Sequence, residues 1–437
     1  MKLKLLVALI FVAICVKAQL KADDVKTFTL KNGMKFLVVE DNAIPNANMY
    51  LFYKVGSRNE HQGITGLSHF FEHMMFNGAK KYGPKMFDRT MEFNGGSNNA
   101  YTTNDVTVYT NWFPASATET MFDLEADRIA SLTIAPAMIE SERGVVMSER
   151  STGLENSPWE LLFQNLNFQA FQEHPYHWPV IGFLDDIKSW TQADLERYFK
   201  TYYAPNNCVM VISGNVQLAT IKALAIKYLE PIPAQAAPPP VRIVEPEQNG
   251  ERFITMQKDV STPYIGIGYH TPATNHPDYY ALNLLSSILS AGNSSRLYSE
   301  IVDKQQIASE IFTNVDRNFD AGLFTIGAIC SDTANDAAVI NAIYNVIEKL
   351  KKEGITDTEL QKVKNQKLLE FYNQIETING KSNNIGTYEL YFGDYKKMFE
   401  APNNFNAVTK ADIQRVAQQY LTKKNRTVAI CKSNVEN

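Results

Sequence analysis

Cysteine is scarce. The chain holds four in 437 residues, and past residue 18 only Cys208, Cys330 and Cys431 remain. They sit in apolar runs such as Cys208-Val-Met-Val-Ile212. An odd and small number so placed reads as buried core thiols and excludes a disulfide framework or a cysteine zinc cluster. Positive charge is not concentrated anywhere: 42 Lys and Arg stand against 47 Asp and Glu, for a net charge of -5. The first 18 residues carry three lysines and no acid, so the remainder is more negative still. An acidic chain without a basic cluster is a poor nucleic-acid binder and suits basic or neutral partners. No run past residue 18 approaches the ~18 to 20 apolar residues of a membrane span. With 45% hydrophobic and 20% charged residues the composition is that of a globular protein, not a disordered or fibrous one. The length accommodates two domains of about 200 residues each.

The first residues read as an address, not as fold. Lys2 and Lys4 precede an apolar run from Leu5 to Val16, and Val16-Lys17-Ala18 follows as a small-residue cleavage site. This is the pattern of a secretory signal peptide over residues 1–18. Cys15 raises a lipoprotein alternative, against which Ile14 argues. The protein is expected to be exported, to the periplasm, with outright secretion as the alternative.

Residues 231–251 (PIPAQAAPPPVRIVEPEQNGE) are rich in Pro and Ala and lack periodicity, as a linker would be. The segments flanking it echo each other. Thr191-Gln-Ala-Asp-Leu-Glu-Arg197 and Thr409-Lys-Ala-Asp-Ile-Gln-Arg415 share T-x-A-D-[LI]-x-R at a separation of 218 residues, each running into an apolar strand. In each, Thr caps a helix with an acidic first turn. A second echo pairs the helical patterns of 136–155 and 357–375. Duplication of one domain is implied: 19–230, then the linker, then 252–437. Alternating positions from Phe28 to Val39 around Asn32-Gly33 predict a hairpin, and further strands are expected at 49–55 and 104–113. Helices are expected near 66–77, 84–94, 115–131, 136–155, 159–172 and 191–202. The fold class is therefore α+β, two homologous domains, each a largely antiparallel sheet covered by helices.

The chemically informative stretch is Gly63 to Gly78, which contains His69-Phe-Phe-Glu72-His73. With Thr65 as N-cap and Gly78 as C-cap, the stretch should be helical. His69 and His73 then lie one turn apart on one face, where two neutral imidazoles can hold one zinc ion. Glu72 is placed to take a proton from water at the metal. The helix is otherwise apolar, so it is buried, and its three polar groups need partners that a metal would provide. A third ligand is required. Glu142 and Glu149, seven residues apart on one helical face, are candidates; one would bind the metal and the other would orient a ligating histidine through its free N–H. Spacing alone also permits two solvated glutamates on a charged helix.

The sequence resembles the pitrilysin and insulinase family of zinc metallopeptidases, which includes the mitochondrial processing peptidases. The resemblance rests on the H-x-x-E-H motif, on Val55-Gly-Ser-Arg-Asn-Glu60, on Gly66 to Met74, and on Asn99-Ala-Tyr-Thr102. It continues from Glu142 to Glu149 and covers nearly all of the chain past the signal. It implies a clamshell chamber of which this chain forms half. It implies zinc, one per chain, held by His69, His73 and Glu149, with Glu72 catalytic and Glu142 behind the ligands. It places Asn99 and Ala100 on an edge strand that pairs with an extended peptide substrate.

The later half has no H-x-x-E-H; His69, Glu72 and His73 shifted by 218 fall on Ser287, Ser290 and Ala291. The family's Arg/Tyr pair, counted from Ser295-Arg-Leu-Tyr298, falls on Val302 and Ser309. A homologous partner subunit is expected to supply that pair, in a heterodimer sooner than a homodimer; Arg296 and Tyr298 are alternative donors that more plainly help to pack their helix. His174 and His177, in Glu173-His-Pro-Tyr-His-Trp178, are read as structural, and His61 as exposed. The expectation is an exported zinc endopeptidase acting on peptides or unfolded segments. The rivals are a non-catalytic assembly subunit and a peptidase dedicated to one precursor.

Overall fold

The computed structural model describes residues 20–331 and 336–433, so the expected signal lies outside the described residues. The chain builds two sheets. In the first, β1 (Val25–Thr29), β2 (Lys35–Glu40), β3 (Asn46–Tyr53), β4 (Ser97–Thr102), β5 (Thr107–Pro114) and β6 (Cys208–Gly214) stand in the order β1-β2-β6-β3-β5-β4. In the second, β7 (Arg252–Gln257), β8 (Tyr264–Thr271), β9 (Ala308–Val315), β10 (Gly322–Cys330) and β11 (Arg426–Lys432) stand in the order β7-β11-β8-β10-β9. Each sheet has one parallel pair, β2 with β6 and β7 with β11, and antiparallel pairs otherwise. Apart from β1 the two orders coincide, and β3 and β6 begin 218 residues before β8 and β11. The T-x-A-D echo is the same device used twice. Thr191 and Thr409 each accept the N–H three residues on at 3.2 Å, and Asp194 and Asp412 accept back from the Thr N–H at 3.0 and 2.9 Å.

The hairpin forms where alternation places it, with Phe28 opposite Phe36 and their rings stacked at 4.6 Å. Gly33 adopts φ +87, a conformation few other residues reach. Cys208, Cys330 and Cys431 are buried.

The two halves exchange helices, which no local pattern announces. Helix Pro158–Ala170 sets Leu162 and Leu166 against Met256, Ala429 and Cys431 of the second sheet. Helix Ile378–Tyr391 sets Ile385 and Leu390 against Phe52, Val209 and Val211 of the first. The approach is close enough that a Cβ on Gly386 would lie 2.1 Å from the Phe52 ring. Residues 231–251 carry no helix or strand but are tied down. The Glu245 carboxylate accepts the N–H groups of Gln172, Glu173 and His174 at 2.8 to 3.0 Å.

A buried polar network also joins the halves. Asp105, 1% exposed in the β4–β5 turn, accepts from the Tyr176 hydroxyl at 2.8 Å and from the Phe319 N–H at 2.8 Å. Asp320 accepts from Arg58 Nε at 2.6 Å and contacts His174 Nε2 at 3.1 Å. His174 therefore serves this network, and His177 Nδ1 bonds the Phe171 carbonyl. Both stand as the structural residues their loop suggests, and His61 is exposed.

Burial pushes the Asp105 carboxyl up to about 7, opposed by the Phe319, Tyr176 and Arg58 contacts. A raised acid pKa means that the folded chain holds a proton the unfolded chain has released. Its contribution is therefore present below the unfolded value and declines as pH rises through the folded one. Asp105→Asn should flatten the fall in urea midpoint between about pH 4 and 7 relative to the wild type. Parallel pH profiles for the two proteins would contradict the assignment.

Candidate metal centre

The motif helix spans Leu67–Met74 and buries Leu67, Phe70, Phe71 and Met74 in the first core, leaving His69, Glu72 and His73 part-exposed. Its caps differ from the expected ones. Gly66, at φ +91, is the N-cap and offers no side chain. The cap is supplied from outside by Glu60, whose carboxylate accepts the Gly66 and Ser68 N–H groups at 2.7 Å each. Thr65 cannot serve because its hydroxyl is committed to Asp186 Oδ2 at 2.6 Å and accepts from the Phe183 N–H. The helix ends at Met74 with Met75 as C-cap. Gly78 is needed four residues later, at φ +118, where a Cβ would lie 2.7 Å from the Gly83 backbone.

Three side chains converge. His69 Nε2 lies 3.6 Å from Glu149 Oε1, and His73 Nε2 lies 3.4 Å from Glu149 Oε2. One donor atom from each of the three falls within 4.8 Å of the others. Glu149 comes from helix Pro136–Asn156, two turns short of its end. Glu142, two turns earlier, faces the back of the site: its Oε1 contacts His73 Nδ1 at 2.8 Å and its Oε2 accepts from Asn77 at 2.6 Å. Spacing left these two glutamates open; in the structure Glu149 stands in front of both imidazoles and Glu142 behind one.

The donor set suits zinc. Ligands about 2.0 to 2.1 Å from a tetrahedral zinc are about 3.3 Å apart, close to the 3.4 and 3.6 Å between the imidazoles and Glu149. Contact with Glu142 at Nδ1 leaves His73 Nε2 to face the cluster, the tautomer a ligand needs. The electrostatics agree. The His73 pKa is subject to burial, which lowers it, but the hydrogen bond to Glu142 and the charges of Glu142, Glu149 and Glu72 leave it above its ordinary value. Glu149 is held below the usual carboxylate range by His69 beside it and by His73, against burial.

Glu72 points to the end of the edge strand, where the Thr102 hydroxyl donates to its Oε2 at 2.7 Å. Asn99 and Ala100 lie on that strand, β4, which has β5 on one side and, among the described residues, no strand on the other. Asn99 is exposed and its amide oxygen accepts the Ala100 N–H at 2.9 Å, while Ala100 packs against the first core. Thr102 and Glu60 end stretches that carry the family resemblance but have no role assigned from sequence, and Asn77 is not among the sequence candidates. Asn77 carried a usable signal, since it continues the His69, His73 spacing by four.

In the second half, helix Tyr279–Ser290 stands where a counterpart of the motif helix would, and Ser286 and Ser290 bond the Thr313 hydroxyl at 2.7 Å each. Arg296 holds Glu359 with Nε at 2.7 Å and Nη2 at 3.0 Å, and also bonds the Gly354 carbonyl. It is a packing residue, as is Tyr298 against the second core. Val302 also packs there, and Ser309 reaches the Ile329 carbonyl at 3.5 Å.

Comparison with known proteins places the chain among peptidases. Residues 35–182 match the profile described as insulinase, peptidase family M16, and residues 189–367 match the one described as the peptidase M16 inactive domain. The chain is 32% identical to the zinc protease PqqE of Helicobacter pylori, over 93% of this chain and 92% of that one. It is 26% identical to the mitochondrial-processing peptidase subunit beta of Blastocladiella emersonii, over 90% and 85%. Among solved structures, a protease from Helicobacter pylori matches with a TM-score of 0.89 at 32% identity, covering 93% of this chain and 99% of that one. The periplasmic protease PqqL of Escherichia coli matches with a TM-score of 0.79 at 20% identity, over 95% of this chain but 48% of its own. Among the described residues no helix is long and apolar enough to cross a membrane.

Because a proton and a metal compete for His73, zinc affinity should fall as pH drops through its raised pKa, beginning above the pH at which a free imidazole would respond. Glu142→Gln should weaken zinc binding about 10- to 100-fold. Competition titration against a chromogenic chelator measures both, and unchanged affinity in the variant would contradict the role given to Glu142.

Proposed function

The chain belongs to the insulinase family, peptidase family M16, and from that membership we propose that it is an exported zinc endopeptidase cutting peptides and unfolded segments inside a closed chamber. The observation that carries the reading is the convergence of His69, His73 and Glu149 with Glu72 beside them. Bound zinc, one per chain, supplies Lewis acidity and acidifies water. The protein does the rest. Glu72, aimed by the Thr102 hydroxyl, takes the proton from the attacking water and hands it to the leaving amine. Glu142 and Asn77 hold the His73 ring in place. The free side of β4 pairs with the substrate main chain near Asn99 and Ala100, which fixes the scissile bond and tolerates many sequences. Residues 19–230 are the catalytic half and 252–437 the half without metal, separated by 231–251. Periplasmic location follows from the expected signal over residues 1–18.

A homologous second subunit completes the chamber and supplies the Arg/Tyr donors. Arg296 is engaged by Glu359 and Gly354, so the alternative donor within the chain is occupied. A longer relative points the same way: the chain matches the first half of the PqqL protease at a TM-score of 0.77 and 20% identity.

Purified protein tested on a quenched fluorescent peptide library, alone and with candidate partner chains, decides the reading. Glu72→Gln should lower cleavage by at least about 10²-fold with one zinc retained, and a chelator should abolish it. Cleavage that survives Glu72→Gln, or a chain with neither zinc nor activity, would overturn the enzymatic reading and favour an assembly subunit.

A further inference from the structure

Beside the metal centre lies a cleft of about 1200 Å³ that has no part in the chemistry above. His69 and Glu149 form one wall and Asn104, just past the end of β4, stands at its border, so a peptide paired with β4 runs into it. The rest is mostly apolar: Val145, Leu154, Trp159, Phe163 and Ile181 among others. Two charged side chains besides Glu149 line it, Glu160 and Arg150.

Arg150 is the unusual one. Its Nε donates to the Gly182 carbonyl at 2.8 Å, and no carboxylate contacts its guanidinium among the described residues. Elsewhere Arg58 pairs with Asp320, Arg128 with Glu125 and Arg296 with Glu359, while Arg317 is held by the Tyr279 side chain. A half-buried guanidinium with no anion beside it has donors to spare, and its planar fork is suited to a carboxylate. The Nε bond fixes the head group. Gly182, its partner, packs on the start of the motif helix, where a Cβ would lie 2.4 Å from the Thr65 carbonyl.

We propose that this cleft is a substrate subsite that selects a carboxylate through Arg150, flanked by a bulky apolar side chain. The proposal rests on the peptidase reading. The carboxylate comes from an acidic side chain or from the C-terminus of the peptide. Arg150 acts on substrate choice, not on the bond-breaking step. Gly144 offers an independent probe, because it borders the cleft and a Cβ added there meets nothing within 4 Å.

The test is fluorescence anisotropy with zinc-loaded Glu72→Gln protein, which holds peptides without cutting them. Paired peptides carry Glu or Gln at each position around the cleavage site, and a free or amidated C-terminus. Tighter binding of one carboxylate-bearing member, by about tenfold, is expected, and the position at which it appears tells side chain from terminus. Adding Arg150→Gln should erase that ratio, Arg150→Lys should keep part of it, and Gly144→Trp should erase it by filling the cleft. A ratio near one in the parent protein, or a ratio unchanged by Arg150→Gln, overturns the proposal. So does an equal loss for both members of a pair, which would make Arg150 a purely structural tie to Gly182. Carboxylate preference in binding without cleavage by the wild type, alone or with candidate partner chains, would sink the peptidase reading and leave the cleft; cleavage without preference would sink the cleft alone.

Discussion

The Glu60 carboxylate accepts two backbone N–H groups at the start of an eight-residue helix. A helix that short has little stability of its own and is held by what surrounds it. Three of its side chains must nonetheless be placed to within a few tenths of an ångström. Burial pushes the Glu60 carboxyl up to about 8, against the Ser68 and Gly66 bonds that favour its charge. Close backbone packing completes the fixation: a Cβ on Gly66 would lie 2.4 Å from the Ile181 carbonyl. The Tyr109 hydroxyl, from β5, donates to the Phe71 carbonyl at 2.9 Å. The candidate metal donors of this helix are thus held from the sheet, from the helix start and from the loop at 181–182.

The same sheet carries the other half of the chemistry. Thr102 ends β4 and bonds Glu72, so the edge that would receive a peptide and the group that would move its proton are one rigid body. Three residues on, Asp105 ties the β4–β5 turn to Phe319 and Tyr176. The second half, which has no metal donors of its own at the corresponding helix, therefore has a mechanical part: it braces the edge strand. The exchanged helices Pro158–Ala170 and Ile378–Tyr391 make the two halves one packing unit.

Legibility in the sequence followed the range of the interaction. The Phe28–Val39 hairpin, both Thr-capped helices and the one-turn spacing of His69 and His73 depend on residues a few positions apart, and they stand as the sequence suggests. The motif helix N-cap did not, because Glu60 and Asp186 reach it from other segments and displace the Thr65 cap that local pattern favours. Glu142 and Glu149 share a helical face, and only the placement of that helix against His73 separates their positions. Helix exchange was invisible for the same reason: Leu162 and Ile385 show an apolar stripe but not which sheet it meets.

The central claim is that one zinc is held by two imidazoles and one carboxylate with a position left open. X-ray absorption at the zinc edge of the purified protein measures it directly. The account predicts one zinc per chain in a shell of nitrogen and oxygen donors, with two imidazoles contributing outer-shell scattering. A sulfur donor, or no bound zinc in a folded chain, would contradict it.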